Sequence, residues 1–397
     1  MTTPTAGTGT ITLGSAVSGF LTFSAAGVVD QDTVTYAIAD GANSEIGRGV
    51  YTAAGATLTR NVLRSTNSNS AISLSGSAQV FVTAAAEDFA APTSPQGRIT
   101  LTSGTAVPTS DVAAATTHYY TPAVGRFAPL WNGNSIVMTD TGGELSQATT
   151  DATKSPAATT TNSNYDLFVW NDNGTIRATR GPAWISDTAR GTGAGTTELD
   201  FTTAPGIPLN KNAITNGPAA NRGTFVGTVR SDGSSLLNMT FGNAAAGGGQ
   251  AILGVWNAYN QACVFARVSD STANWNQVAS TQGPLNASTN NRLNFVSGLA
   301  MNCIDAYLSV HLNSAAVSGA KASIGFGLDT TTAADFTDQD TAQAALSVRH
   351  IQKVRGGYKP QLGFHFIQAL QASDGTNTAV WDQAALNGPG LMVWLMM

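Results

Sequence analysis

An all-β fold is what this sequence predicts, and three observations predict it. Short apolar runs alternate with polar residues: in the stretch 32–40, Val34, Tyr36 and Ile38 fall on one side of a two-residue period. Turn dipeptides separate such runs, with Asp40-Gly41, Asn132-Gly133 and Asn173-Gly174 as the clearest. Charged residues make up only 11% of the 397, while Ala, Gly, Thr, Ser and Asn dominate. Solvated helices carry Glu, Lys and Arg on their outer face, so this composition suits strands joined by tight turns instead. Net charge is −5, and apolar residues recur along the whole chain, which argues against disorder.

The elements follow in order. Residues 1–91 read as a small N-terminal β module, with strands over GTITLG, DTVTYAIAD, GRGVYTAAGATLTR and AQVFV. One helical turn is expected over 84–89. The segment APTSPQG, 91–97, holds two prolines and a glycine and reads as a boundary. Residues 98–185 read as small central β-hairpin modules turning at Asn132-Gly133 and Asn173-Gly174. Residues 186–397 carry about ten strand candidates separated by turns, a spacing that predicts a C-terminal β-sandwich or jelly-roll-like domain. Thr332–Leu346 is expected to be a short helix or a long loop. The apolar end GLMVWLMM is expected to be a buried strand.

Ordered stretches of the chain resemble virion proteins of tailed bacteriophages, prophages and gene transfer agents. In the first module these are VTYAIADG (34–41), EIGRGVYT (45–52) and GATLTR (55–60). In the middle they are GRITLTSGTAV (97–107), YYTP (119–122) and the strand into Asn132-Gly133, followed by NYDLFVWNDNG (164–174) and NRGTFVGTVR (221–230). The resemblance covers roughly residues 18–260. It implies a fibre or spike subunit, most often a homotrimer, attached to other virion proteins (capsid, portal, tail or baseplate) and presenting its C-terminal domain to a host cell-surface glycan or protein. It implies no catalytic residues. The alternatives are a purely structural decoration or connector protein, and a polysaccharide depolymerase.

Other features fit that expectation. Weakly charged, Ala/Gly/Thr-rich strands offer little repulsion between copies, which favours a homo-oligomer whose members cover one another's sheet edges. No basic arm is present to drive nucleic-acid binding. No run approaches the ~18 apolar residues of a membrane span. The stretch MTTPTAGTGTITLG lacks the basic and apolar regions of a secretory leader, so a protein made in the host cytoplasm and carried in the virion is expected. Cys263 and Cys303 sit in apolar runs and are expected to be buried free thiols.

No metal site, cofactor motif or catalytic constellation is expected. His118, His311, His350 and His365 are scattered, and no P-loop, G-x-S-x-G or H-E-x-x-H occurs. The acids Asp329, Asp335, Asp338 and Asp340 lack the EF-hand pattern and read as a solvated loop. Aromatic side chains beside Asn, Gln and Asp suit sugar binding, because rings stack on pyranose faces while amides bond hydroxyls. On that ground Trp275, Tyr358, Tyr259 and Trp381 are the candidate glycan or receptor contacts, with Trp275 and Tyr358 expected on loops.

Overall fold

Strand alternation and turn chemistry build the first hairpin as the sequence suggests. Thr33–Asp40 pairs antiparallel with Asn43–Thr52, and the chain reverses at Gly41, whose φ is +61°. The computed structural model describes residues 1–85, 88, 94–204, 206–315, 320–342, 350–382 and 390–397. Apart from a single helical position at Asp88, their secondary structure consists of strands and one 3-10 turn at Leu285–Ala287, so the fold is all-β. The helical turn expected over 84–89 lies largely outside the described residues.

The chain forms two compact units, Met1–Ala91 and Pro92–Met397. In the first, a sheet around Thr33–Asp40 and Asn43–Thr52 encloses a core of Ile11, Tyr36, Ile38, Leu58, Leu74 and Val80. One polar network crosses that core. Glu45 is buried and accepts hydrogen bonds from the Tyr36 hydroxyl (2.7 Å), the Arg60 Nε (2.9 Å) and the backbone N–H of Ile72 (2.9 Å). Arg60 Nη2 pairs with the second Glu45 oxygen and also donates to the Ile72 carbonyl at 2.9 Å. Gly47 lies against this network, and a Cβ there would collide with the Tyr36 hydroxyl and the Asn61 carbonyl.

In the second unit two sheets share one core. The first sheet runs Val112–Ala115, Leu237–Thr240, Ala251–Leu253, Arg292–Ser297, Gly363–Ala372, Ala320–Leu328, Phe336–Ala342. In the second, Gly390–Met396 is hydrogen-bonded between Cys263–Asp270 and Ile304–Ala315. The C-terminal run is thus an internal strand, with Leu391, Val393 and Leu395 buried. Leu293, Phe295, Ile324 and Phe326 of the first sheet join Leu308, Val310, Trp381 and Val393 of the second in one cluster. The expected helix or loop at Thr332–Leu346 is corrected: Phe336–Ala342 is a strand, antiparallel to Ala320–Leu328. Residues 343–346 lie outside the described set.

The stretch 98–185 does not stand apart from 186–397. Asn164–Asp172 pairs with both Thr175–Ala183 and Thr224–Arg230, so the hairpin at Asn173-Gly174 is one edge of a larger sheet. Asn257 bonds both backbone groups of Ile99, at 2.6 and 3.2 Å. Arg98 is buried and donates to the carbonyls of Asn260 and Met397, joining positions 299 residues apart. These long-range ties close one unit over both stretches.

The two cysteines are free but exposed, which corrects the expectation of buried thiols. On Cys263–Asp270 the inward positions are Val264, Ala266 and Val268, so Cys263 and Phe265 face outward. Cys263 is opposite Met396, and extending the pairing of Asp305 with Trp394 puts Cys303 level with Met396 on the other side. Two strand spacings, roughly 9.5 Å, separate the thiols. A disulfide needs Cα atoms within ~7 Å, so the two do not bridge within the chain.

Candidate functional site

The four aromatic residues singled out in the sequence do not meet in one surface. Trp275 and Trp381 stand opposite each other on Trp275–Gln277 and Ala379–Asp382, but they point into the core, 6% and 0% exposed. The Trp275 indole donates to Gln371 Oε1 of the facing sheet at 2.7 Å. Trp381 donates to Gln352 Oε1 at 3.2 Å, while Gln352 Nε2 donates to the Ala322 carbonyl of the facing sheet. Both rings therefore anchor the two sheets to each other, and neither is a glycan contact; a large apolar ring whose one N–H finds a partner is well suited to burial.

Tyr358 closes Phe326 and Phe336 in edge-on ring contacts at the end of strand His350–Tyr358. Its hydroxyl donates to Asp335 Oδ2 at 3.0 Å, and burial together with that carboxylate raises its pKa. Tyr358 pairs with Ile304 and Trp381 with Leu312, eight residues apart on one strand, or roughly 27 Å. Tyr259 is half-buried, its hydroxyl has no partner among the described residues, and burial pushes its pKa up to about 12. Asp329, Asp335 and Asp338 are also occupied. Asp329 meets His365 Nδ1 at 2.6 Å, Asp335 accepts from the Leu328 N–H, and Asp338 accepts from the Lys353 N–H. Among the described residues no group of three or more His, Cys, Asp or Glu is placed to hold a metal ion.

A different set of residues forms a cleft. Its volume is about 180 Å³, and its walls come from Asn162, the Arg230–Asp232 turn, Asn238, Ile252–Gly254, Asn294, Phe295 and Phe364. Each is brought there by sheet pairing. Thr224–Arg230 ends at the rim and places Arg230. The parallel pairing of Ala251–Leu253 with Arg292–Ser297 sets Ile252 beside Asn294. The antiparallel pairing of Arg292–Ser297 with Gly363–Ala372 sets Phe366 on the other side of Asn294 and Phe364 beside Val296.

The polar groups of the cleft divide into used and unused. Asp232 accepts from the backbone N–H groups of Ser234 and Leu236 and from Asn238 Nδ2 at 2.7–3.0 Å. Burial would raise its pKa, but these bonds outweigh that and hold it below the ordinary carboxylate value. It is a turn staple. Arg230 lies 3.6 Å above the Phe364 ring. Its Nη1 donates to Asn164 Oδ1 at 2.9 Å and Asp187 Oδ1 at 2.7 Å. Burial lowers its pKa against the opposing pull of Asp187. Nε and Nη2 of Arg230 have no acceptor among the described residues. Asn294 is 8% exposed, and its side-chain amide has no hydrogen-bond partner among the described residues. A ring under a guanidinium, an open guanidinium edge and an open amide offer hydrogen bonds and ring contact to a small polar molecule.

Sequence reasoning missed this cleft. Its lining residues span 162 to 364, and no local motif marks them; only the strand pairing collects them.

No family model matches the chain, and no curated protein matches it. Among solved structures, the insecticidal delta-endotoxin Cry8Ea1 of Bacillus thuringiensis aligns over 100% of this chain and 61% of its own, at 8% identity and a TM-score of 0.18. A Bacillus thuringiensis Cry1Da tryptic core variant aligns over 72% of this chain and 48% of its own, at 6% identity and a TM-score of 0.16. At these scores neither likeness carries weight for the fold or the activity of this chain.

Proposed function

We infer that this chain is a structural subunit of a tailed-phage-type particle, a fibre or spike that attaches to other virion proteins and presents unit Pro92–Met397 to a host surface. The observation that carries the reading is the ordered set of motifs over residues 18–260. Within the first module those motifs have a common physical purpose. Tyr36 comes from VTYAIADG, Glu45 and Gly47 from EIGRGVYT, and Arg60 from GATLTR, and the four form one buried network. In the second, Tyr120 and Thr121 of YYTP receive the Gly97 N–H and bond Glu144, which in turn holds Ser103 and Gly104 of the TSGT turn. Motifs tied together in this way are folding signatures, and fold-level likeness leaves function to the surface.

The test is location. Antibody labelling of purified particles from the producing strain should place the chain on the outside of the particle. Deleting its gene should reduce adsorption. Particles that lack the chain altogether would overturn the reading.

A second reading, a decoration or connector without a receptor role, is favoured by one feature. Phe265, Met396 and Cys263 are exposed on one sheet face beside half-buried Trp394 and Met392, an apolar surface suited to assembly. Under it, deletion leaves adsorption unchanged and makes particles fragile.

A further inference from the structure

We propose that the cleft between Arg230, Phe364 and Asn294 takes the acetamido group of an N-acetylhexosamine. The assignment deepens the attachment role above and rests on it for where such a sugar would be met.

Asn294 carries the case. Asn294 is nine-tenths buried and makes no hydrogen bond among the described residues, yet its amide atoms are not sealed from solvent, so the amide faces the cleft with no protein partner. Here it sits on the outer face of its sheet between Ile252 and Phe366, its partners in register. It therefore offers an acceptor and an N–H donor beside apolar neighbours. An N-acetylhexosamine answers all three features at once. Its acetamido N–H donates to Asn294 Oδ1, its methyl group lies on that same side of the trans amide against the apolar neighbours, and Asn294 Nδ2 donates to the adjacent ring hydroxyl. A plain hexose has a hydroxyl at that carbon and no methyl group to fill the apolar wall.

The rest of the sugar meets the rim. Arg230 is pinned by its stacking on Phe364 and by its Nη1 bonds to Asn164 and Asp187. That leaves Nε and Nη2 as fixed donors for ring hydroxyls, and a donor already held in place loses little freedom on binding. The cleft volume of about 180 Å³ suits a single residue of a chain, with Asn162 exposed at the edge where a glycan would continue. Single-site affinity would be modest and multiplied by repeated copies.

Titration calorimetry on the full chain tests this with methyl N-acetyl-β-glucosaminide, methyl N-acetyl-β-galactosaminide and methyl β-glucoside. At least one N-acetyl glycoside should bind at millimolar concentration or below, with the glucoside at least tenfold weaker. Asn294→Leu should weaken binding at least tenfold while leaving the thermal midpoint level or higher, because the amide makes no hydrogen bond in the fold and its neighbours in register, Ile252 and Phe366, are apolar. Lys353→Ala, away from the cleft, should change neither. Binding of the glucoside as tight as the acetamido sugars overturns the proposal, as does full binding by Asn294→Leu or the absence of binding by all three. A midpoint lowered by several degrees in Asn294→Leu marks the amide as structural and also overturns it. Failure of the ligand assignment leaves the chain in purified particles with no sugar bound. Failure of the particle role leaves a sugar-binding chain that particles lack.

Discussion

His118 is wholly buried, and neither ring nitrogen has a hydrogen-bond partner among the described residues. Burial, and then the nearby Arg180 guanidinium, push its pKa from 6.5 down to about 3. The folded state thus binds the proton less readily than the unfolded one. Stability from this group is complete above 6.5 and is lost as pH falls toward about 3, at roughly 1 kcal/mol per pH unit in that window. His118→Leu removes both the unpaired nitrogens and the titration. Urea unfolding at pH 7 should show the variant as stable as the parent or more so, and the gap should widen at pH 5. A variant less stable than the parent at both pH values would mean that the ring has a partner. Glu45 is the opposite case, because every hydrogen bond around it is made. Glu45→Ala leaves Arg60 buried without its counter-ion and should cost about 3–5 kcal/mol, read as a lower urea midpoint of the Met1–Ala91 transition. The triple replacement Tyr36→Phe, Glu45→Leu, Arg60→Met should recover much of that loss, since it leaves no charge stranded.

At the scale of elements, the turn at Asn173-Gly174 shows what the chain declares locally. Asp172 pairs with Thr175, and the two turn residues have φ of +51° and +96°. Asn tolerates that region and Gly is at ease in it, which is why the dipeptide signals a two-residue hairpin. Gly174→Val should cost about 1–2 kcal/mol in thermal or urea unfolding, whereas Asn173→Gly should change little. Turn chemistry and two-residue alternation made this hairpin and the Asn132-Gly133 hairpin legible from sequence, and the unbroken apolarity of GLMVWLMM did the same for the buried C-terminal strand. The same alternation marks Cys263 and Phe265 as outward residues, since Val264, Ala266 and Val268 take the inward positions. Reading that run by its overall apolarity hid this. Phe336–Ala342 was illegible for another reason: its polar sequence FTDQDTA lies at a sheet edge, where little needs to be buried. Trp275 looked like a loop residue because its strand is three residues long and its partner, Trp381, is 106 positions away. The cleft was hidden most completely. Asn294 is an ordinary polar residue in a strand until pairing sets Ile252 and Phe366 beside it.

At the scale of the whole molecule, we propose that copies meet through the outward face of the second sheet. Phe265 is 45% exposed, and its ring lies 5.1 Å from that of Trp394. Register places Met392 beside Arg267 and Tyr307, and Met396 beside Cys263. At the border of this apolar strip Asp305 and Arg355 form an exposed pair at 2.6 Å. Asp305 and Arg355 put both signs of charge at that border, so neither sign dominates it. A net charge of −5 over 397 residues adds little long-range repulsion. Homo-oligomers built this way bury the apolar strip at the centre and leave the charged pair at the rim. Sedimentation should therefore show a concentration-dependent assembly. Phe265→Lys should shift it to monomers while leaving the unfolding midpoint of the isolated monomer unchanged, because Phe265 already faces water. Cys263 and Cys303 report the same event chemically. A water-soluble thiol reagent should modify both slowly in the assembled protein and rapidly in Phe265→Lys. Equal rates in the two proteins, with assembly intact in both, would place the contact between copies on another face.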